Sequence, residues 1–143
     1  MSNNKKGSIP AQDQAFQISE PNTTPIHNIK PAGKEEQAYM MILSSGSVGV
    51  TGLDIQKHCH VISGRNFPSL LKRQSGVLFR WEWEANTEDD GRHKRHWLVG
   101  RDDAKKVLRE INGKRYARGA GPVQSDEAER LLSLYPVAPE QAA

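Results

Sequence analysis

The fold turns on "RNFPSLLKRQSGVLFRWEWE", residues 65–84, where the spacing of the apolar residues changes once and sharply. Up to Gly76 it suits a helix. With Asn66 as the N-cap, Pro68 falls at the second helical position, where its missing N–H has no partner to lose. In a helix interior the same proline would cost about 3 kcal/mol or more. Leu70 and Leu71 then face inward, Lys72 and Arg73 outward, and Gly76 ends the helix. From Val77 the period becomes two. Val77, Phe79, Trp81 and Trp83 alternate with Leu78, Arg80, Glu82 and Glu84, and alternation rich in aromatic residues means a strand.

Toward the C-terminus, "ANTEDDG" (85–91) reads as a turn and "RHKRHWLVG" (92–100) as the returning strand. On it Trp97 and Val99 share a face with His93 and Arg95. A helix from Asp102 to about Ile111, a basic turn "NGKRYARG" (112–119) and a short helix "SDEAERLLSLY" (125–135) follow, before a frayed tail at 136–143. Toward the N-terminus, "TGLDIQKHCHV" (51–61) is a short helix. Thr51 and Asp54 have capping-box spacing, with Asp in place of the usual Glu. Leu53, Ile55 and Cys59 supply its apolar contacts, and Ser63 and Gly64 make the tight turn that follows. Another helix opens at Lys34, with Glu35 and Glu36 suited to its positive end, and the glycines of "SSGSVGV" (44–50) stop it. Residues 1–33 hold four of the eight prolines with no helical or strand period, which reads as a disordered leader. The expected division is therefore a leader at 1–33, an ordered domain at 34–112, a basic turn and short helix at 113–135, and a tail at 136–143.

Bulk composition narrows the classes. Of 143 residues 36% are hydrophobic, and the mean hydropathy is −0.71, which suits a small core with disordered ends. A net charge of +3 permits a nucleic-acid partner without demanding one. Cys59 is the only cysteine, so no internal disulfide forms, and a reducing cytoplasm fits. No apolar run is long enough for a signal peptide or a membrane span, which points away from a membrane and toward a cytoplasmic protein.

The order helix, short helix, tight turn, helix, hairpin, helix resembles the winged helix–turn–helix family. It is most similar to small phage-associated members in which an "LLKRQSGV"-like helix end (70–77) leads into a hairpin closing with Arg92, Lys94, Arg95, Trp97 and Leu98 in an R-x-K-R-x-W-L strand. The resemblance covers roughly residues 34–100. It implies an α+β, mainly α fold: a three-helix core, a two-stranded wing and further C-terminal helices. It also implies that the helix at 66–75 enters the major groove of double-stranded DNA. Arg65 and Asn66 at its start carry the chemistry that holds guanine and adenine edges, respectively, with paired hydrogen bonds. Ser69, Lys72 and Arg73 lie along its outer face, the latter two suited to phosphates. Arg92, Lys94 and Arg95 on the hairpin would reach phosphate or the minor groove. A phage or mobile-element transcription regulator is the expected role.

Three features leave alternatives open. Trp81 and Trp83 either cover the small core or stack on bases, as in single-strand binders. The apolar side of the last helix, with Leu131, Leu132, Leu134 and Tyr135, either closes the core or pairs with a second subunit in a homodimer. The acidic residues Glu88, Asp89 and Asp90 argue against the hairpin tip entering DNA. With the modest charge and the polar leader, they keep open a protein-interaction module, a phage-encoded factor on a host protein.

His58, Cys59, His60, His93 and His96 invite a zinc site, but structural zinc usually wants two or more thiolates and adjacent ligands diverge. No phosphate loop, dinucleotide fingerprint or catalytic Ser–His–Asp arrangement is legible. The chain therefore reads as no enzyme, with no metal and no small-molecule cofactor.

Overall fold

The computed structural model describes residues 29–137. The leader expected at 1–33 lies mostly outside the described residues, as does most of the tail at 136–143. The elements run α1 (Lys34–Ser44), β1 (Val50–Thr51), α2 (Gly52–Cys59), α3 (Phe67–Ser75), β2 (Phe79–Ala85), β3 (Arg92–Leu98), α4 (Arg101–Ala117) and α5 (Ser125–Leu132). The class is α+β.

The sheet holds three antiparallel strands in the order β1-β3-β2, one strand more than the expected hairpin. Val50 pairs with His96 and Thr51 with Arg95. Only two residues long, β1 lies below what sequence periodicity detects. Thr51 ends it and caps the next helix at once. Its hydroxyl accepts from the Asp54 N–H at 3.0 Å, and the Asp54 carboxylate accepts from the Thr51 N–H at 3.0 Å, so the capping box is complete.

Ala38, Tyr39, Ile42 and Leu43 of α1 meet Ile55 and Cys59 of α2, Leu71 of α3 and Ala104, Val107 and Ile111 of α4 in one core. Val77 and Leu98 seal it at the base of the ribbon made by β2 and β3. Asp103 joins that base to α4, its carboxylate accepting the Leu78 N–H at 3.0 Å. Trp81 and Trp83, two residues and four residues beyond Phe79, stay 46% and 50% exposed. Covering the core is therefore not their role: the ribbon outruns the core, and only its base is buried in it.

The segment expected as a basic turn is helical through Ala117, and the reversal comes at Gly119, with φ +90°. Gly113 costs about 1 kcal/mol in a helix. Packing of Ile111 and ion pairs to α1 offset this. Lys114 reaches Glu35 at 2.6 Å, and Arg118 grips the 5%-exposed Glu36 through two nitrogens, both at 2.7 Å. The apolar side of α5 goes into this same core through Leu131 and, just beyond, Tyr135. The Tyr135 hydroxyl donates to the carbonyls at the end of α1, 2.8 Å from Leu43, and accepts the Gly46 N–H at 3.1 Å. Carbonyls that a helix end leaves unpaired are thus satisfied from the far end of the domain. Among the described residues no helix is long and apolar enough to cross a membrane.

Candidate nucleic-acid interface

Two glycines bring the first turns of α2 and α3 together. A Cβ at Gly64 would collide with the Gly52 carbonyl, the Gln56 nitrogen and the Ile55 side chain, and one at Gly52 would lie 2.8 Å from the Arg65 Cα. This close crossing turns Arg65, Asn66 and Ser69 outward, and all three are exposed. Asn66 occupies the N-cap position at φ −87° and ψ −13°, yet its side chain makes no capping bond, and Pro68 follows at the second helical residue. The carboxamide is thus not committed to the helix it begins.

The ribbon forms the facing wall. In its register Trp81 pairs with His96, Trp83 with Lys94 and Ala85 with Arg92, so these side chains share one face. Lys94 Nζ stands 4.2 Å from the Trp81 ring centre and 5.3 Å from that of Trp83, while the Arg92 guanidinium lies 4.8 Å over Trp83. The two indoles meet edge to face, 5.8 Å apart. Between the walls runs a cleft of about 570 Å³ lined by Arg65, Asn66 and Ser69 from the helix side and by Trp83, Arg92 and Lys94 from the ribbon. Among the described residues no carboxylate lines it. His96 sits on its floor, its ring edge against Phe79. Burial, and then the Lys94 charge, pull the His96 pKa below the ordinary histidine value, so the ring is neutral at pH 7. Its buried Nδ1 has no hydrogen-bond partner among the described residues.

The opposite face of the ribbon is self-neutralised. Arg95 bonds Glu84 through Nε at 2.6 Å and Nη2 at 2.9 Å, and lies 3.6 Å from Asp54. The two Arg95 bonds, with a third from His93 at 3.1 Å, hold the Glu84 carboxyl down at about 2. In the turn, Asp89 accepts from the Asn86 side chain and the Gly91 N–H, both at 2.6 Å, so this acid builds the turn itself.

Of the eight residues singled out from sequence, the fold brings Arg65, Asn66, Ser69, Arg92 and Lys94 to one cleft. Lys72 and Arg73 are exposed further along α3 and do not line it. Arg95 is on the other face with its charge matched. Lys114, Arg115 and Arg118 are likewise engaged with Glu35 and Glu36 of α1. The zinc candidates disperse: Cys59 is buried, with its thiol pKa raised by burial, while His58 and His60 are exposed.

Sequence reasoning left open whether Trp81 and Trp83 cover the core or stay exposed, and did not place Trp83 in the wall of a cleft. The signal was present as parity, since Trp81 and Trp83 share a strand face and Arg92 and Lys94 share one on the partner strand. Compared with family models, curated proteins and solved structures, the chain matches none.

Proposed function

We propose that the protein binds double-stranded DNA as a winged helix–turn–helix domain. In this reading α2, the Gly64 turn and α3 form the helix–turn–helix, and the ribbon is the wing. The observation that carries it is the cleft: side chains from the start of α3 and from a strand some 30 residues later converge on one groove. Among the described residues that groove is lined by three cations, Arg65, Arg92 and Lys94, and no acid. Arg65 and Asn66 supply the paired donors and acceptors that distinguish guanine and adenine in the major groove. Arg92 and Lys94, joined by Lys72 and Arg73 along α3, supply charge for the phosphates, which set register and affinity. The net charge of +3 is modest, but several cations away from the cleft, Arg95, Lys114 and Arg118 among them, are paired with acids, whereas Arg65, Arg92 and Lys94 converge on it. A transcription regulator of phage or mobile-element type is the role this reading favours.

Selection of bound duplexes from a random pool, repeated at two salt concentrations, tests it. The expected result is a defined motif with affinity that falls steeply as salt rises. No enrichment at low salt, or affinity unchanged when Arg65, Asn66, Arg92 and Lys94 are all replaced by alanine, would reject it.

A further inference from the structure

We infer that Trp81 and Trp83 form a stacking site for unpaired nucleobases, so that the preferred ligand is a duplex opened over about two bases beside the cleft. The inference rests on the DNA-binding reading of that cleft and adds a subsite to it. Both indoles remain half exposed although each already has a cation 4–5 Å from a ring centre. An intact duplex offers the ribbon only its sugar–phosphate edge. A phosphate oxygen is repelled by the electron-rich face of an indole, whereas a flat heteroaromatic base stacks on it. Lys94 lies over the Trp81 ring and Arg92 over the Trp83 ring, so a base that takes either place on the indole frees that cation for its own phosphate. Ring plus cation matches base plus phosphate, the pairing that single-strand grooves use.

The extent of the site also follows from the fold. His96 and Phe79 close the ribbon face at its base, and the acidic turn at Glu88–Asp90 ends the positive track at its tip. Two indoles lie between, which fits about two bases. The cleft beside them holds Arg65 and Asn66 for the adjoining paired DNA.

The test compares a closed duplex of the selected sequence with the same duplex carrying a central two-base mismatch, using the full chain. The wild type should bind the opened duplex on the order of tenfold more tightly, with its indole emission quenched by that ligand and not by the closed one. Trp81→Leu/Trp83→Leu keeps apolar bulk on the ribbon without a flat ring. It should lose the preference, its affinity for the opened duplex falling at least about fivefold further than its affinity for the closed one. Should that variant fail to fold, the wild-type comparison decides alone. Equal wild-type affinity for the two ligands, or a preference that survives in the leucine variant, overturns the inference and leaves duplex binding standing. Binding to neither ligand overturns both.

Discussion

Arg95 clasps Glu84 across the ribbon through two nitrogens, at 2.6 and 2.9 Å, one residue along the strand from Lys94, which faces the cleft. Adjacent residues of one strand therefore have opposite roles, one spent on the fold and one offered to a ligand. Arg95→Ala should change DNA affinity by less than about twofold, whereas Arg92→Ala and Lys94→Ala should each weaken all sequences alike. Each of the latter should also reduce the salt slope by about 0.9. Binding isotherms at several salt concentrations check both halves.

The same clasp sets a pH dependence. Glu84 titrates at about 2 in the folded protein, below its ordinary value of 4.5. A depressed carboxyl stabilises above the unfolded pKa, and that contribution is lost as pH falls from about 4.5 toward 2. Glu84 is partly exposed, so solvent screening limits the contribution to a few tenths of a kcal/mol. Denaturation of the wild type and of Glu84→Gln should converge as pH falls through this window, with the wild type the more stable above it.

Arg65→Ala and Asn66→Ala should act on specificity. Each is expected to cost about 1–3 kcal/mol on the best site and to relax preference at one base pair. Duplex selection with each variant measures this, and a uniform loss over all sequences would place these residues on phosphates instead.

Gly64→Ala should destabilise by about 3 kcal/mol, because the added methyl runs into the Gly52 carbonyl. Backbone has nowhere to retreat there, since Gln56 and Ile55 crowd the same point. Urea denaturation reads the loss directly.

Tyr135→Phe removes the hydroxyl that serves the end of α1 and leaves buried carbonyls with less than they had. The expected cost is about 1–2 kcal/mol, seen as a lower midpoint in chemical denaturation with an unchanged slope.

What could be read in the sequence followed the strength of its local signals. The capping pair Thr51 and Asp54, the N-terminal proline of α3 and the period-two run from Phe79 to Trp83 each encode their element over a few residues, and each formed as read. Val50 and Thr51 could not announce a strand, because two residues have no period. The helix through Gly113 and Tyr116 depends on Glu35 and Glu36, some 80 residues away, a partnership that no local pattern carries. Whether Trp81 and Trp83 are buried was not legible for a related reason. Alternation says which residues share a face, but how far the ribbon extends past its helices depends on the packing of all of them together.

Because Tyr135 and Leu131 finish the environment of α1, the domain closes with its last element. A nascent chain that has already emerged through the ribbon still leaves part of the first helix's apolar side uncovered and its Leu43 carbonyl without the Tyr135 hydroxyl. On the ribosome, native structure is therefore gained late, when residue 135 clears the exit, and until then the exposed surface is a target for chaperones.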